Sequence, residues 1–416
     1  MIEWDETQVQ VRDAIRKFVE SEIKPRREAL EREEVSPYEV LRKFFEAFGI
    51  GELGRARGEA ELRKARAREE ALARGETPAP RKRREGPQPE AGQELALRML
   101  PVIEICRYCP GLITALGVSA GLTPNAIIGK GTARQIERWA LPLLTLEKVG
   151  SWAITEPGSG SDAFGSMRAT ARRVDGGYAL SGSKTFITNG PYADTIVFIC
   201  KLDEGNDPRD RKVLSFVLER GTPGLTQSKP LRKMGQHTSP TGELFLEDVR
   251  VGPEHLLGET EDAPAREGAK DTFVAERTLV AGMALGIVEQ CLALCTEYAR
   301  TRVQFGRPIG DFQLIQLKLA KMEVARMNIQ NLIFRQLELA SLGKAMDLAE
   351  ASACKLYSAQ ATMEVTLEAV QLFGGNGYMS EYHVEQLCRD AKVLQIYGGT
   401  DEIQISQIAR TLLGRR

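Results

Sequence analysis

Histidine is nearly missing from this chain: 416 residues hold three, His237, His255 and His383, far apart in sequence. The single Cys106-Arg-Tyr-Cys109 pair has no second pair beside it, so no tetrahedral metal centre is indicated and the expected metal complement is none. Seven cysteines, odd in number and scattered, argue against a disulfide framework and for a reducing compartment, with the cysteines acting as small core residues. An excess of either charge is also lacking. With 56 basic against 57 acidic residues the net charge is −1, which leaves no whole-chain footprint for nucleic acid or an anionic membrane. The longest run without a charge, Tyr108 to Gly129, contains Pro110, Pro124 and Asn125 and reads as helix-loop-helix, not as a membrane span. The N-terminal Met-Ile-Glu-Trp-Asp-Glu is acidic and has no apolar core, so no secretory or transit signal is read there and a bacterial-type cytoplasmic location is expected.

What is present describes an ordinary globular protein, 42% hydrophobic and 27% charged, long enough for two or three domains. Three textures follow one another. Residues 1–150 are helical in pattern (Val9, Ile15, Phe18, Val19, Ile23, and again from Glu94 to Leu146) and are expected to form an all-α domain. Residues 151–260 change to short β-rich runs: Tyr178-Ala-Leu-Ser, Thr185-Phe-Ile-Thr, Thr195 to Cys200, Val213 to Leu218 and Glu243-Leu-Phe-Leu. Asp175-Gly-Gly is a hairpin signal, and a small antiparallel sandwich or barrel is expected. Residues 261–416 return to long helices. Apolar pairs recur every four residues (Leu279/Val280, Met283/Ala284, Ile287/Val288, Cys291/Leu292), and further helices span about Asp311 to Ser341, about Met346 to Phe373 and a short stretch after Thr400. The fold class is therefore α+β: helical domain, β domain, four-helix bundle, with oligomerisation expected from the long uncapped helices.

A charged insertion at about 52–92 breaks the first domain. Arg55 to Glu85 carries eleven basic residues against six acidic ones, few large apolar side chains and a Thr-Pro-Ala-Pro run. It reads as a disordered or loosely helical surface arm.

The chemistry is sought at two linked motifs. Trp152-Ala-Ile-Thr-Glu-Pro-Gly-Ser-Gly-Ser-Asp162 is a turn rich in small hydroxylated residues and backbone N–H groups, suited to an anion or a polar ring edge. Lys184-Thr-Phe-Ile-Thr-Asn-Gly190 follows as a strand whose period places Phe186 and Thr188 on one side. Together with Lys233-Met-Gly-Gln, Phe245-Leu-Glu-Asp-Val-Arg-Val, Arg302-Val-Gln-Phe-Gly-Arg-Pro-Ile, Phe312-Gln313, Gln371-Leu-Phe-Gly-Gly-Asn-Gly-Tyr378 and Gln395-Ile-Tyr-Gly-Gly-Thr-Asp-Glu402, the set resembles the acyl-CoA dehydrogenase family of flavoproteins. The resemblance covers nearly the whole chain except the arm.

The resemblance implies FAD and a division of roles. Thr155 would lie near flavin N5, Ser161 beside both the cofactor and the CoA part of the substrate, Phe186 over the isoalloxazine edge and Thr188 in hydrogen bond with the ring, with Trp152, Ile154, Gly160 and Ile187 completing that wall. Arg302, Phe305, Phe312 and Gln313 would reach the FAD of a neighbouring subunit, Arg302 at its pyrophosphate, and Gln371, Leu372, Gly374 and Gly375 would approach the same cofactor. Thr400 and Glu402 would also touch FAD. Such sharing implies an oligomer, with a homotetramer expected, and an electron-transfer flavoprotein as the electron acceptor.

Dehydrogenation at Cα–Cβ of a thioester needs a base for the α-proton and donors for the enolate-like oxygen. By resemblance the donor is the Gly398 N–H, and in many members the base also sits at position 398. Here Tyr397-Gly398-Gly399-Thr400 lacks it. A minority, resembling the isovaleryl-CoA and long-chain enzymes, carry the glutamate on the first bundle helix before an arginine. Val274-Ala-Glu276-Arg277 matches that place, so Glu276 is the expected base, with Arg277, Tyr397 and Gly399 near the substrate. The reading of Glu276 as an exposed glutamate favoured by a helix N-terminus stands beside it. Other readings keep the fold and change the partner: an acyl-carrier-protein dehydrogenase suggested by the basic arm, an acyl-CoA oxidase, and, remotely, an alkylation-response flavoprotein that holds DNA.

Overall fold

The computed structural model describes residues 3–76, 87–262 and 267–414. Among the described residues nine α-helices, α1 (Glu6–Phe18), α2 (Arg27–Glu31), α3 (Pro37–Ala47), α4 (Ile50–Ala73), α5 (Pro89–Cys106), α6 (Pro110–Leu116), α7 (Thr123–Lys130), α8 (Ala133–Gln135) and α9 (Leu141–Leu144), precede the first strand. Asp5 begins α1 with a capping box, accepting from the Gln8 N–H while the Gln8 side chain accepts from its own. The run expected to loop at Pro124 stays helical instead. A π-helical turn at Gly117–Leu122 joins α6 to α7. Such a widened turn accommodates a proline near the start of the next helix, where its missing N–H has no partner to lose.

Seven strands form the middle layer: β1 (Gly150–Ala153), β2 (Thr170–Val174), β3 (Gly177–Thr188), β4 (Thr195–Leu202), β5 (Val213–Glu219), β6 (Leu225–Gln227) and β7 (Thr241–Val251). Their order is β1-β4-β2-β3-β7-β6, with β5 paired to β4. The purely antiparallel expectation is corrected, because β4 runs parallel to both β1 and β2. The two short runs at Tyr178 and Thr185 are one strand, irregular between Lys184 and Ile187 against β7. Asp175-Gly176 makes the expected hairpin, Val174 pairing with Gly177 and Gly176 at φ +80°. One face of the sheet buries Phe198, Phe216, Leu180 and Val249.

The C-terminal part contains α10 (Glu267–Thr301), a small hairpin β8 (Val303–Gln304) and β9 (Arg307–Pro308), α11 (Gln313–Ser341), α12 (Leu348–Phe373), α13 (His383–Lys392) and α14 (Asp401–Leu412). The helical regions are not separate cores. One apolar cluster runs from Ile15 and Phe44 through Leu100 and Ile103 to Ile287, Ile333 and Leu387. Glycine makes this junction close. A β-carbon on Gly286 would stand 2.1 Å from the Ile103 carbonyl oxygen, so α10 meets α5 with no room for a side chain there. Glu276–Thr301 is long and apolar enough to cross a membrane, yet two thirds (67%) of its most apolar window is buried inside the fold, as a core helix requires.

Over its described part the arm is helical and largely exposed, so of the two readings the disordered one is corrected. Residues 55–73 belong to α4, which buries Gly58 against Leu141 and Leu144 and places Leu62 in the cluster around Trp139. Some of its charges are paired, Arg55 with Glu147, Arg66 with Glu137 and Lys64 with Glu61, and Glu69 accepts from the Ala133 N–H. The Thr-Pro-Ala-Pro run and the cluster Arg81 to Arg84 lie outside the described residues.

Candidate active site

The 152–162 turn is held from beneath by a buried ion pair. Lys184 on β3 is fully buried and donates to Glu156 at 2.8 Å and to the Ile154 carbonyl at 3.0 Å. Glu156 also accepts from the N–H groups of Arg168 (2.7 Å) and Ala169 (2.9 Å). Burial alone pulls the Lys184 pKa down and Glu156 opposes it. Satisfied on both sides, the pair fixes a loop that has little apolar surface of its own. The Thr185 N–H donates to the Thr155 carbonyl at 2.9 Å, so the two motifs are one wall.

On that wall Phe186 sits at φ +57° with 68% of its surface exposed, while Ile187 beside it is buried. A phenylalanine held in the left-handed region with its ring in solvent is strained for a purpose other than packing. Thr155 and Thr188 make no side-chain hydrogen bond among the described residues, and Ser161 and Gly160 are exposed. Three residues expected at the cofactor are turned inward. Ile187 at 2% and Leu372 at 5% exposure belong to apolar cores, and Ile154 packs in the Trp139 cluster with Trp152 against it. Their side chains pack into the core: Ile187 in the sheet, Ile154 beside Trp139 and Leu372 among the helices.

Asn189 ends β3 and ties the wall to the helical region. Its Nδ2 donates to the carbonyls of Ala115 and Gly150, both at 3.0 Å, and its Oδ1 accepts from the Tyr38 hydroxyl at 2.8 Å. A second tie runs through Gln236, at φ +50°, whose N–H donates to buried Asp390 on α13 and whose Oε1 accepts from Thr114 at 2.7 Å. Burial raises the Asp390 pKa to about 7. Tyr397 lies 3.4 Å from the Thr114 hydroxyl and donates to the Met283 sulfur at 3.3 Å, and burial raises its pKa strongly.

Tyr397 leads into the centre. Gly398 and Gly399 follow at φ +62° and +86°, a double left-handed turn that glycine adopts without steric cost. A β-carbon built on Gly398 would stand 3.4 Å from the Glu276 carboxyl carbon and 3.5 Å from its Oε1. The carboxylate of the bundle helix therefore borders the position where a side chain at 398 would begin. Glu276 is in the third turn of α10, which starts at Glu267, so the helix-N-terminus reading is corrected. Burial pushes its pKa above the usual carboxylate range, and the neighbouring Arg277 and Lys355 charges pull in the opposite direction. Arg277 is 6% exposed and donates to Ser352 on α12 at 2.9 Å; it faces the bundle.

Two supports of this turn escaped the sequence reading. Lys355 on α12 donates to the Gly399 carbonyl at 2.5 Å, and Gln404 on α14 donates to the carbonyls of Gly398 (3.1 Å) and Gly399 (2.8 Å). Helical spacing held the signal: Ala351, Ser352, Lys355, Ser358, Ala359 and Thr362 form one small-residue face, all buried. Thr400 caps α14, accepting from the Ile403 N–H, and Glu402 is exposed beside it.

The remaining expected residues lie apart. Arg302 and Phe305 are exposed around the β8–β9 hairpin, Phe305 by 93%, with the Phe312 ring 6.1 Å from it and the Arg307 guanidinium 4.3 Å from the Phe312 ring. Gln313 starts α11. Among the described residues neither these nor Gln371, Gly374 and Gly375 hydrogen-bond to the Thr155, Phe186 or Gly398 groups. Gly374 and Gly375 face open space, as do Gly158 and Gly160. Among the described residues no group of three or more His, Cys, Asp or Glu side chains is placed to hold a metal, and the cysteines are free.

Residues 151–249 match the acyl-CoA dehydrogenase middle domain and residues 267–413 the acyl-CoA dehydrogenase C-terminal domain. A short-chain-specific acyl-CoA dehydrogenase of Megasphaera elsdenii is 38% identical over 83% of this chain and 89% of its own. The chain belongs to the acyl-CoA dehydrogenase family. It is an oxidoreductase of CH–CH bonds in a flavin-dependent family. Mitochondrial isovaleryl-CoA dehydrogenase of Arabidopsis thaliana is 32% identical over 98% of this chain and 92% of its own. Among solved structures, butyryl-CoA dehydrogenase from M. elsdenii superposes with a TM-score of 0.82 at 33% identity, covering 99% of this chain and all of that one.

Proposed function

We propose that this member of the family is an FAD-dependent acyl-CoA dehydrogenase in which Glu276 takes the α-proton. The observation that carries the reading is the contact between the Glu276 carboxyl and the Gly398 position. The chain's own groups suit the cofactor: a solvent-facing Phe186, the uncommitted hydroxyls of Thr155 and Thr188, and glycines 158, 160, 374 and 375 open toward a ligand. FAD, when bound, supplies a two-electron acceptor for the hydride leaving Cβ. Everything else falls to the protein. The Gly398 N–H, on a turn clamped by Lys355 and Gln404, would donate to the thioester oxygen. That lowers the cost of the enolate-like charge as the Cα–H bond breaks. Glu276 receives the proton, and its raised pKa brings it toward the strength suited to a base near neutral pH. One proton and one hydride leave, and Cα=Cβ forms.

The same reading includes electron delivery to an electron-transfer flavoprotein and a homotetramer in which Arg302, Phe305 and Gln313 reach a neighbour's cofactor. The exposed Phe305 and an apolar row along α11 support the assembly. Seven unpaired cysteines support a cytoplasmic setting. Glu276→Gln tests the base. The variant is expected to keep FAD and to lose about 10²–10⁴-fold in the rate of flavin bleaching by acyl-CoA. A loss within a few-fold removes Glu276 from the role.

A further inference from the structure

Two successive left-handed glycines have no backbone preference to hold them, so the direction of the Gly398 N–H depends on what grips the two carbonyls. Gln404 donates to both. Lys355 donates to the second at 2.5 Å from a fully buried position. A neutral donor would serve the carbonyl as well, and burying an ammonium is costly. The charge therefore calls for an explanation beyond the hydrogen bond.

We propose that Lys355 is a positioning residue of the dehydrogenation: its ammonium, behind the Gly398-Gly399 turn, orients the Gly398 N–H and keeps Glu276 ionised and ready for the α-proton. The inference rests on Glu276 being the base. Among the described residues the charged groups acting on Lys355 are Asp401 and Glu402 on α14 and Glu276 and Arg277 on α10. Those acting on Glu276 are Arg277 and Lys355. Arg277 is committed to Ser352, one turn before Lys355 on α12, so the two cations have separate anchors. Burial lowers the Lys355 pKa to about 8, which puts loss of its charge inside the range where such an enzyme is assayed. The sign is fixed. Below about 8 the ammonium is present, favours carboxylate over carboxylic acid at Glu276, and favours negative charge on an oxygen at the Gly398 N–H. Above that pH both effects fade.

The test follows the rate of flavin reduction by acyl-CoA in FAD-loaded protein from pH 5 to 10. In Lys355→Met the acid limb, where Glu276 gains its proton, is expected to move up by about one pH unit, the order a nearby opposite charge produces. Lys355→Arg is expected to keep the wild-type acid limb and to abolish the decline above pH 8. Gln404→Leu, which removes a donor but no charge, is expected to lower the rate at every pH without moving the limb. A ¹³C-carboxyl NMR titration of glutamate-labelled protein, with Glu276→Gln as the blank, reads the same shift without turnover. An unmoved acid limb in Lys355→Met overturns the inference, and so does an alkaline decline that Lys355→Arg shares with the wild type. If Lys355→Met does not yield folded, flavin-loaded protein, the Lys355→Arg comparison decides alone. Retained turnover in Glu276→Gln overturns the base itself, whereas an inactive Glu276→Gln with an unmoved Lys355→Met limb overturns only the role of Lys355.

Discussion

Gly398→Ala adds one carbon at the point on which the reading of the site turns. Its backbone cost is that of a non-glycine residue at φ +62°, about 1–2 kcal/mol. Spread over the unfolding entropy of a chain this long, at about 2.1 cal/mol/K per residue, that is a fall of only about 1–2 °C in Tm. The kinetic cost comes from elsewhere. The new methyl would stand 3.4 Å from the Glu276 carboxyl carbon and 3.5 Å from Oε1, which is ordinary van der Waals contact, so it fits without a clash but fills the space beside the carboxylate. That space is where Cα would approach on the proposed reading, and a misplacement of 1 Å costs about 10²-fold in a positioned reaction, so a rate loss of about 10-fold is expected with FAD content unchanged. Stopped-flow flavin bleaching measures it. The decisive arm is a double-mutant cycle. If the methyl acts through the carboxylate, by crowding its approach to Cα, Gly398→Ala should cost nothing further once Glu276 is Gln. Losses that multiply in the double variant would refute the reasoning, as would a wild-type rate in Gly398→Ala. Gly399→Ala is a useful contrast, since its methyl would strike Gln404 Nε2 at 2.8 Å and disturb the clamp instead of the base.

Glu31, 3.1 Å from His237 Nδ1, raises the His237 pKa from 6.5 to about 9, so this group's stabilisation is complete below about 6.5 and is lost as pH rises through 9. Differential scanning calorimetry should show Tm falling between pH 7 and 9.5 and His237→Gln flattening that decline; equal slopes in the two proteins would remove the pair from the account. On α11, Leu314 (75% exposed), Leu317 (53%), Val324 (58%) and Met327 (51%) form an apolar row at helical spacing. Leu314→Lys combined with Leu317→Lys is expected to reduce the mass seen by light scattering and to weaken FAD retention, while an unchanged mass would show that the row is not the subunit contact.

The order of helical, β and helical regions was legible because it rests on periodicity, and periodicity is local. Apolar pairs four apart along Leu279 to Leu292 specify a buried helix whatever surrounds it. The parallel pairing of β4 with β1 and β2 was not legible, since strand direction depends on which distant segments meet and leaves no mark in a single run of residues. Composition misled at α4. A segment dense in Arg, Lys and Glu looks unfoldable when its charges are summed. In the fold their partners are Glu147, Glu137 and the start of α8, and Gly58 and Leu62 suffice to seat the helix. The site residues divide in the same way. Phe186 and Phe305 are exposed, whereas Ile187 and Leu372 belong to a motif in sequence and to the core in space.

The glycine at 398 and the glutamate at 276 are best understood as one choice. On the proposed reading a proton acceptor for Cα could be delivered from the turn or from α10, and the two would border one space, because a side chain at 398 would start 3.4 Å from the Glu276 carboxyl carbon and 3.5 Å from its Oε1. Delivery from α10 puts the carboxylate on a helix whose following turns are locked into the core at Gly282 and Gly286, so its backbone has little freedom to adjust. On the proposed reading the turn carries no side chain and offers its N–H to the substrate oxygen. It has lost whatever rigidity a side chain at 398 would have brought, and that is the mechanical reason for gripping it through two carbonyls, from α12 by Lys355 and from α14 by Gln404.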